Sequence, residues 1–254
     1  QPDELMSTIA QNLPSDNYNS ALQATPNKEA EWHFFANNED KVLEKLQEQP
    51  KTLADITRKI FVGLQTSSDK VFVLNFVKQT DDITTCYSAA LNQEVQIETK
   101  LLKPFLKGKD VHRYQPPNVE NVVLFPYEVK NGRAELFTEE FFSENFPLGW
   151  KYLSTNKEIL AQREKGRFKK TWWQFGRTQN LFEFETRKIM TPEIALGCQM
   201  SIDELGQLYH TTKIYSFVFN ESREESIYYF LGVLNSKLLW FFLTSTGYVL
   251  RGGY

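Results

Sequence analysis

The chain has 254 residues, of which 41% are apolar and 14% aromatic, so it is long and apolar enough to build one large domain with a sizeable core. Its formal net charge is −3 and its pI is near 5.8. Taken over the whole chain, this negative net charge argues against a nucleic-acid-binding protein, because such domains are often basic.

The spacing of cysteine and histidine predicts neither a disulfide nor a metal site. Cys86 and Cys198 lie far apart without a Cys-x-x-Cys pattern, which predicts two reduced thiols. His33, His112 and His210 are scattered, so we expect no bound metal. The sequence opens without a secretory signal, and its longest apolar run, 227–243, is interrupted by Asn-Ser-Lys. We therefore expect a cytoplasmic protein.

In the first half of the chain, residues 1–49 are predicted to form a lead-in segment with one short helix, capped by Asn37 or Asn38 and ended by Pro50. Two strands are then predicted around a loop at 63–69, and the second, at 71–77, is apolar enough to lie centrally in a sheet. A further strand is predicted in QEVQIETKLL, and the Asn131-Gly132 pair predicts a hairpin in NVVLFPYEVKNGRAELFT.

In the second half, Thr138 is predicted to cap a helix, and one longer helix is predicted from Pro147 to Lys165, stopped by Gly166. RKIMTPEIA and TTKIYSFVF predict two more strands. A helical stripe then runs from Ile227 to Phe242. We expect an α+β fold: a twisted mixed β-sheet core with flanking helices, a main domain at 50–225, and a helical portion of the same domain at 226–254. The RGGY ending suggests that the chain was cut from a longer protein.

The charges are strongly segregated along the chain. Residues 151–188 contain ten Lys or Arg and four acids, a net charge of +6, and residues 100–113 have a net charge of +4. The remainder must therefore carry −13. Such a protein can attract a polyanion on one face while its total charge stays negative.

The most informative segment is REKGRFKKTWWQFGRTQN, which interleaves cations with aromatic residues. Lys and Arg neutralise phosphates, while Arg, Gln and Asn read base edges. The alternative is a solvated helix face followed by core tryptophans. A second basic turn, LLKPFLKGKDVHRY, is open to the same two interpretations, and Gly108 in its middle permits a close main-chain approach or a positive φ.

Other chemistries have weaker support. The sequence has neither a phosphate-binding G-x-x-x-x-G-K-[ST] nor a G-x-G-x-x-G motif, and no nucleophile elbow. Asp82, Glu98 and Lys100 loosely match the acidic and Glu-x-Lys arrangement of a magnesium-dependent nuclease. Solvated charges at a strand edge are the favoured interpretation of these residues, because such a pattern often arises by chance.

Eight segments stand out in order along the chain: LADITRKIFVGLQTSSDKVFVL, IETKLLKPFLKGKDVHRY, VVLFPY, PLGWKYLSTNKEILAQRE, WWQFGRTQNL, RKIMTPEIA, DELGQLYHTTKIY and FLGVLNSKLLWFF. Together they resemble the TaqI-type target-recognition domain of bacterial adenine-N6 DNA methyltransferases, which include fused type IIG restriction–modification enzymes. The resemblance covers about 50–254.

This resemblance implies a domain that docks on duplex DNA, reads a short sequence and helps to present a flipped adenine to a linked or associated methyltransferase domain. S-adenosylmethionine would bind that catalytic domain, whose motifs are not present in this sequence. We therefore expect no catalytic residue, metal or cofactor in this chain. A protein-interaction module that docks a catalytic subunit is the alternative.

On this basis we predict which side chains contact DNA. Phosphate contacts are expected from Lys107, Lys109, Arg113, Arg163, Arg167, Lys169 and Lys170, and groove contacts from Trp172, Trp173, Gln174, Arg177 and Gln179. Of the two tryptophans, at least one is expected to lie in the core.

Overall fold

The computed structural model describes residues 39–222 and 224–247. Most of the predicted lead-in, both candidate caps Asn37 and Asn38, and the last seven residues lie outside this range. Within it the chain forms three sheets and eight α-helices, which confirms the predicted α+β class.

The largest sheet has six strands in the order β11-β5-β6-β2-β3-β4, and all its neighbours are antiparallel except β11 and β5. The predicted central strand is β2, which lies between β6 and β3. Numbered along the chain, the strands of this sheet are β2 Val73–Thr80, β3 Ile83–Ser88, β4 Gln93–Glu98, β5 Leu102–Leu106, β6 Asn121–Leu124 and β11 Tyr209–His210.

A second, four-stranded sheet has the order β1-β12-β9-β10 and is antiparallel throughout. The two strands predicted around the 63–69 loop are both present, but they belong to different sheets. The strands of this second sheet are β1 Thr57–Val62, β9 Lys188–Pro192, β10 Ser201–Asp203 and β12 Ile214–Phe219.

The predicted Asn131-Gly132 hairpin is present as β7, Tyr127–Lys130, and β8, Arg133–Leu136. Asn131 and Gly132 have φ of +51° and +70°, the left-handed values that a two-residue hairpin loop requires. The hairpin forms a separate two-stranded sheet, because the apolar run before it divides after Leu124 and its first part pairs as β6.

The two large sheets meet at a junction between Gly63-Leu64 and His210-Thr211. The Leu64 amide donates to the His210 carbonyl at 2.8 Å, and Leu64 forms a parallel bridge with Thr211. A Cβ at position 63 would lie 2.1 Å from the carbonyl oxygens of both His210 and Thr211. Only glycine permits this approach, so residue 63 determines how β1 passes the end of β11.

The eight helices lie around these sheets. The predicted cap is present, because the Thr138 hydroxyl accepts from the Phe141 amide at 3.2 Å. The helices, again numbered along the chain, are α1 Glu39–Gln47, α2 Leu53–Ile56, α3 Asp69–Phe72, α4 Glu139–Asn145, α5 Pro147–Thr155, α6 Lys157–Gly166, α7 Ile227–Leu234 and α8 Lys237–Thr246.

The prediction of one helix from Pro147 to Lys165 was wrong. Asn156 separates α5 from α6, since its buried amide donates to the Tyr152 carbonyl at 3.0 Å and its φ and ψ of −100° and 9° leave the helix. The regular part of α6 also ends early, because residues 163–165 have non-helical angles.

The C-terminal stripe is likewise two helices, with a bend of 55° between α7 and α8. Asn235 causes the break, because its buried side chain accepts from the Met200 amide at 2.8 Å and donates to the Met200 carbonyl at 3.0 Å. No single helix in the described range is long and apolar enough to span a bilayer, although this bent pair together meets that limit of length and composition.

The main core lies between the six-stranded sheet and helices α4 to α6, and it is rich in aromatic rings. A second cluster joins α7 to the four-stranded sheet, where Phe219 and Phe230 stack with their ring centres 4.8 Å apart. These two clusters pack the sheets and helices from which the basic segments extend.

Candidate nucleic-acid interface

The predicted phosphate contact Arg163 is instead an internal support, with only 8% of its surface exposed. Its guanidinium donates to the main-chain carbonyls of Thr66 at 2.6 Å, Trp172 at 2.7 Å and Gln174 at 2.7 Å, and its Nε donates to the Leu160 carbonyl at 2.9 Å. Burial lowers the pKa of Arg163 to about 10, so the group stays charged at neutral pH. The predicted role of Arg163 is therefore corrected.

Trp172 and Trp173 are also corrected, since they are only 2% and 5% exposed and pack in the main core. The two rings lie against Trp150, at centroid distances of 5.1 Å and 5.6 Å. The Trp173 indole donates to the Phe137 carbonyl at 3.0 Å, which satisfies its only polar group. Neither ring is available to a groove.

Residues 164–180 form a segment that we call the basic loop. In this segment exposed cations alternate with buried aromatic residues. The side chains of Arg167, Lys169, Lys170, Arg177 and Gln179 are exposed, and that of Gln174 is half-buried. Lys165 is exposed as well. Among the described residues, none forms an ion pair with Lys165, Lys169 or Lys170.

The basic loop begins with a left-handed turn. Glu164, Lys165 and Gly166 have φ of 47°, 61° and 83° in succession, a conformation that costs free energy for the two residues with side chains. The four hydrogen bonds of Arg163 hold the chain on both sides of this turn. The cations that follow are therefore presented by a fixed main chain.

One acidic side chain lies inside this cationic group. The Glu164 carboxylate accepts from the Arg177 guanidinium at 3.0 and 3.1 Å, from Arg167 at 3.4 Å and from the Ser67 hydroxyl at 3.0 Å. The hydrogen bond from Arg177 is the main reason why the pKa of Glu164 is lowered. This carboxylate is thus an anion already bound to two of the predicted DNA contacts.

In the second basic segment, residues 107–113, the cations are only partly engaged. Lys107 donates to the Asn121 amide oxygen at 2.9 Å, and Lys109 lies 3.7 Å from the Glu120 carboxylate. Arg113 donates to the Asn235 carbonyl at 2.8 Å.

Gly108 starts a short 3-10 turn, and a Cβ there would be 3.4 Å from the Lys213 carbonyl. That is an ordinary van der Waals distance, and Gly108 is not among the described residues with positive φ, so neither the close approach nor the positive φ that the sequence suggested is present here. Lys109 and His112 line a cleft of about 430 Å³ between this segment and the end of β9.

A short main-chain path links the two basic segments. Leu106, next to Lys107, accepts from the Thr211 amide; Thr211 pairs with Leu64; and Gln65 accepts from the Arg177 amide at 3.1 Å. With about 3.8 Å between successive Cα atoms and about 5.5 Å across each pair, the path from Lys107 to Arg177 is at most about 25 Å. That is shorter than one turn of B-DNA, about 34 Å. The distance between the two segments is therefore compatible with contact to a single duplex.

The structure gives Glu98, the central residue of the nuclease alternative, a structural role. The Glu98 carboxylate accepts from the main-chain amides of Leu148 at 2.7 Å and Gly149 at 2.9 Å, so it caps the first turn of α5. Asp82 and Lys100 are exposed on either side of it in sequence. Within the described ranges, no three acidic, histidine or cysteine side chains are grouped closely enough to hold a metal.

Two residues that hold the basic loop in place were missed by the sequence analysis. Ser67 meets Glu164 across 97 positions of sequence, and the main chain of Thr66 supports Arg163 over the same separation. The polar run Gln65–Asp69 after β1 marked a loop but carried no sign of these partners.

The fold and this surface define a mixed α+β domain that presents a solvent-exposed cationic loop, whose main chain accepts hydrogen bonds from Arg163. The chain matches the family described as "TaqI-like C-terminal specificity domain" over residues 103–254, and it belongs to that family. The resemblance inferred from the sequence motifs is thereby confirmed.

Two known proteins that this chain resembles are restriction–modification enzymes. The chain is 23% identical over 206 residues to the type II restriction enzyme and methyltransferase RM.Eco57I of Escherichia coli, covering 76% of this chain and 20% of that protein. In fold it is similar to the type IIL restriction–modification enzyme MmeI, whose structure was solved in complex with DNA. The TM-score is 0.50 and the sequence identity is 12%. The match covers 81% of this chain and 24% of the MmeI chain. The chain thus spans about a fifth of the length of its curated relative.

Proposed function

We propose that this chain binds duplex DNA in a sequence-specific manner, as the target-recognition domain of a site-specific adenine-N6 DNA methyltransferase or type IIG restriction–modification enzyme. The observation that carries the proposal is the basic loop, in which Lys165, Lys169 and Lys170 have no acidic partner among the described residues. Surface cations without partners attract phosphates, and a domain of net charge −3 has little other reason to concentrate them.

The exposed side chains divide into two proposed roles. Lys169, Lys170, Arg167 and Lys109 contact phosphates and set the position of the domain on the duplex. Gln179 and the half-buried Gln174 have the donor and acceptor groups that read base edges. Both follow the buried Trp172-Trp173 pair along the chain, and that pair anchors their main chain in the core.

The catalytic steps belong to a methyltransferase domain that is linked to or associated with this one, as in a bacterial, cytoplasmic restriction–modification enzyme. S-adenosylmethionine would be bound by that domain. The support comes from the curated relative, which is named as both a restriction enzyme and a methyltransferase and is about five times longer than the matched part.

The C-terminal helices offer a surface for this second domain. In α8, Leu238 is 49% exposed, and the five apolar residues from Leu239 to Leu243 are half-buried, with Leu239 packed against the cluster that joins α7 to the four-stranded sheet. On α7, Tyr228, Tyr229 and Val233 are 57%, 58% and 44% exposed. An apolar surface of this kind is typical of a protein contact. The occupant that we propose is the methyltransferase part of the parent polypeptide.

A salt titration of the 254-residue chain with a random-sequence duplex tests the proposal. Because each neutralised phosphate contributes about 0.9 to the slope of log K against log salt, four phosphate contacts give a slope of about −3 to −4. Competition with duplexes of varied sequence then tests for specificity. A slope near zero would reject DNA binding and favour the alternative, a protein-interaction module that acts through α7 and α8.

A further inference from the structure

The strongest unassigned feature is the polar group at the start of the basic loop, formed by Ser67, Glu164, Arg167 and Arg177. Three side chains from three parts of the chain donate to a single carboxylate. Arg177 is 44% and Arg167 64% exposed at the side chain, so solvent reaches both guanidinium groups. Glu164 itself is 28% exposed at its side chain.

This set of donors suits a phosphate at least as well as a carboxylate. Arginine binds both anions through its planar fork, and a hydroxyl group donates readily to either. Arg167 and Arg177 are also two of the residues that the sequence predicted as DNA contacts. Glu164 is the only acidic residue of the basic loop between residues 164 and 180, where seven positions are Lys, Arg or Gln next to the aromatic core.

The main chain around Glu164 adopts a conformation that costs free energy in order to hold the carboxylate in this position. Glu164 has a φ of 47°, and the left-handed turn continues through Lys165 to Gly166. On the opposite side, a Cβ at Gly176 would lie 1.8 Å from the Ser67 hydroxyl oxygen and 3.2 Å from a Glu164 carboxylate oxygen. Glycine at position 176 is therefore required for the loop to close around the carboxylate.

We propose that Ser67, Arg167 and Arg177 form a binding site for one DNA backbone phosphate, and that Glu164 occupies this site in the free chain as an internal substitute for the phosphate. This site presupposes DNA binding as proposed above. When a duplex docks, its phosphate displaces the carboxylate and takes over the same three donors. Glu164 thereby lowers the affinity for DNA that is poorly aligned with the domain, because every binding event must first replace an existing ion pair.

The substitution Glu164→Gln separates this role from a purely structural one. If Glu164 occupies a phosphate site, the variant loses the competing charge and binds a random-sequence duplex about 5-fold more tightly, within the range of coupling between neighbouring charges. If Glu164 only braces the two arginines, the same variant loosens the loop and binds more weakly. Glu158→Gln is the matched control, because it makes the same change of charge on an exposed residue of α6.

A double-mutant cycle with Arg177→Gln identifies the cation that Glu164 occupies. The gain from Glu164→Gln should fall below about 2-fold when Arg177 is already replaced, because the donor it would release is gone. The effect of Glu158→Gln should be the same in both backgrounds. An undiminished gain in the Arg177→Gln background would overturn the assignment, as would a Glu164→Gln variant that binds no more tightly than wild type at equal thermal stability.

A second measurement does not depend on DNA binding. Inorganic phosphate, compared with chloride at equal ionic strength, should raise the Tm of Glu164→Gln more than that of wild type or Glu158→Gln, because only in the first are Ser67, Arg167 and Arg177 free of a bound carboxylate. An equal rise in all three proteins would overturn the phosphate site. If instead no protein binds the duplex while the phosphate effect is present, the proposed function fails and the anion site stands.

Discussion

The Arg163 guanidinium donates a hydrogen bond of 2.7 Å to the main-chain carbonyl of Trp172, across the two ends of a loop that carries four exposed cations between them. The same guanidinium reaches the carbonyls of Thr66 and Gln174. Arg163, which was predicted from the sequence to be a surface cation, is therefore a buried residue that holds the main chain of the basic loop in place.

Replacement of Arg163 should test this support. Arg163→Ala leaves several buried carbonyl groups without a donor, so we expect a loss of about 3–5 kcal/mol in the free energy of unfolding. Urea denaturation measures it. Arg167→Ala, which removes an exposed arginine four positions away, should change stability by less than about 0.5 kcal/mol. A small effect at both positions would contradict the buried network.

Replacement of exposed lysines should change DNA affinity without changing stability. Lys169→Ala with Lys170→Ala should weaken binding to all duplexes alike and reduce the salt slope by about 2, because each lysine neutralises one phosphate. Salt titrations by fluorescence anisotropy measure this. The control pair Lys78→Ala with Lys100→Ala removes the same charge from exposed positions outside the basic loop. Equal losses from both pairs would indicate that only total charge matters.

The stability of the domain should fall in mild acid because of His210. This ring is fully buried, with its Nε2 at 2.6 Å from the Ser216 hydroxyl, and burial lowers its pKa from 6.5 to about 3. Below pH 6.5 the unfolded chain takes up a proton that the folded chain excludes. The native state therefore loses stability as the pH falls toward 3, by about 2 kcal/mol between pH 7 and pH 5.

Denaturation curves at half-unit steps of pH check this window. His210→Gln should remove most of the slope between pH 7 and pH 5, since glutamine does not titrate. Carboxylates with a lowered pKa, such as Glu164 and Glu185, contribute only near and below their ordinary value of 4.5. An unchanged slope in the His210 variant would assign the acid sensitivity to other groups.

Two glycine-to-alanine changes should have opposite signs. Gly63→Ala forces a methyl group onto the carbonyl oxygens of His210 and Thr211, which are main-chain atoms that cannot move aside, so we expect a loss of at least about 3 kcal/mol. Gly232→Ala lies within α7, where a Cβ meets nothing within 4 Å, and should stabilise by about 0.5–1 kcal/mol. Thermal unfolding distinguishes the two, and a neutral Gly63→Ala would show that the sheet junction is looser than the structure indicates.

Features that depend on neighbouring residues were predictable from the sequence. The Asn131-Gly132 turn, the cap at Thr138 and the strand at Val73–Thr80 are each specified by side-chain chemistry within a few positions. The same holds for the position of the basic loop. The two helix breaks at Asn156 and Asn235 were missed because both depend on hydrogen bonds made by buried asparagine side chains. The spacing of apolar residues along a helix gives no sign of such hydrogen bonds.

The sequence by itself determined the α+β class, the turns, the family and the presence of two cationic segments, because all of these follow from local propensity and from the order of the residues. Only the tertiary structure decided which cations face solvent. Arg163 and Arg167 look alike in the sequence, yet one donates to four main-chain carbonyl groups inside the fold and the other is exposed beside Glu164. The physical reason is that the cost of burying a charge is met by acceptors far away in sequence, such as Thr66, and folding alone brings those acceptors to the guanidinium.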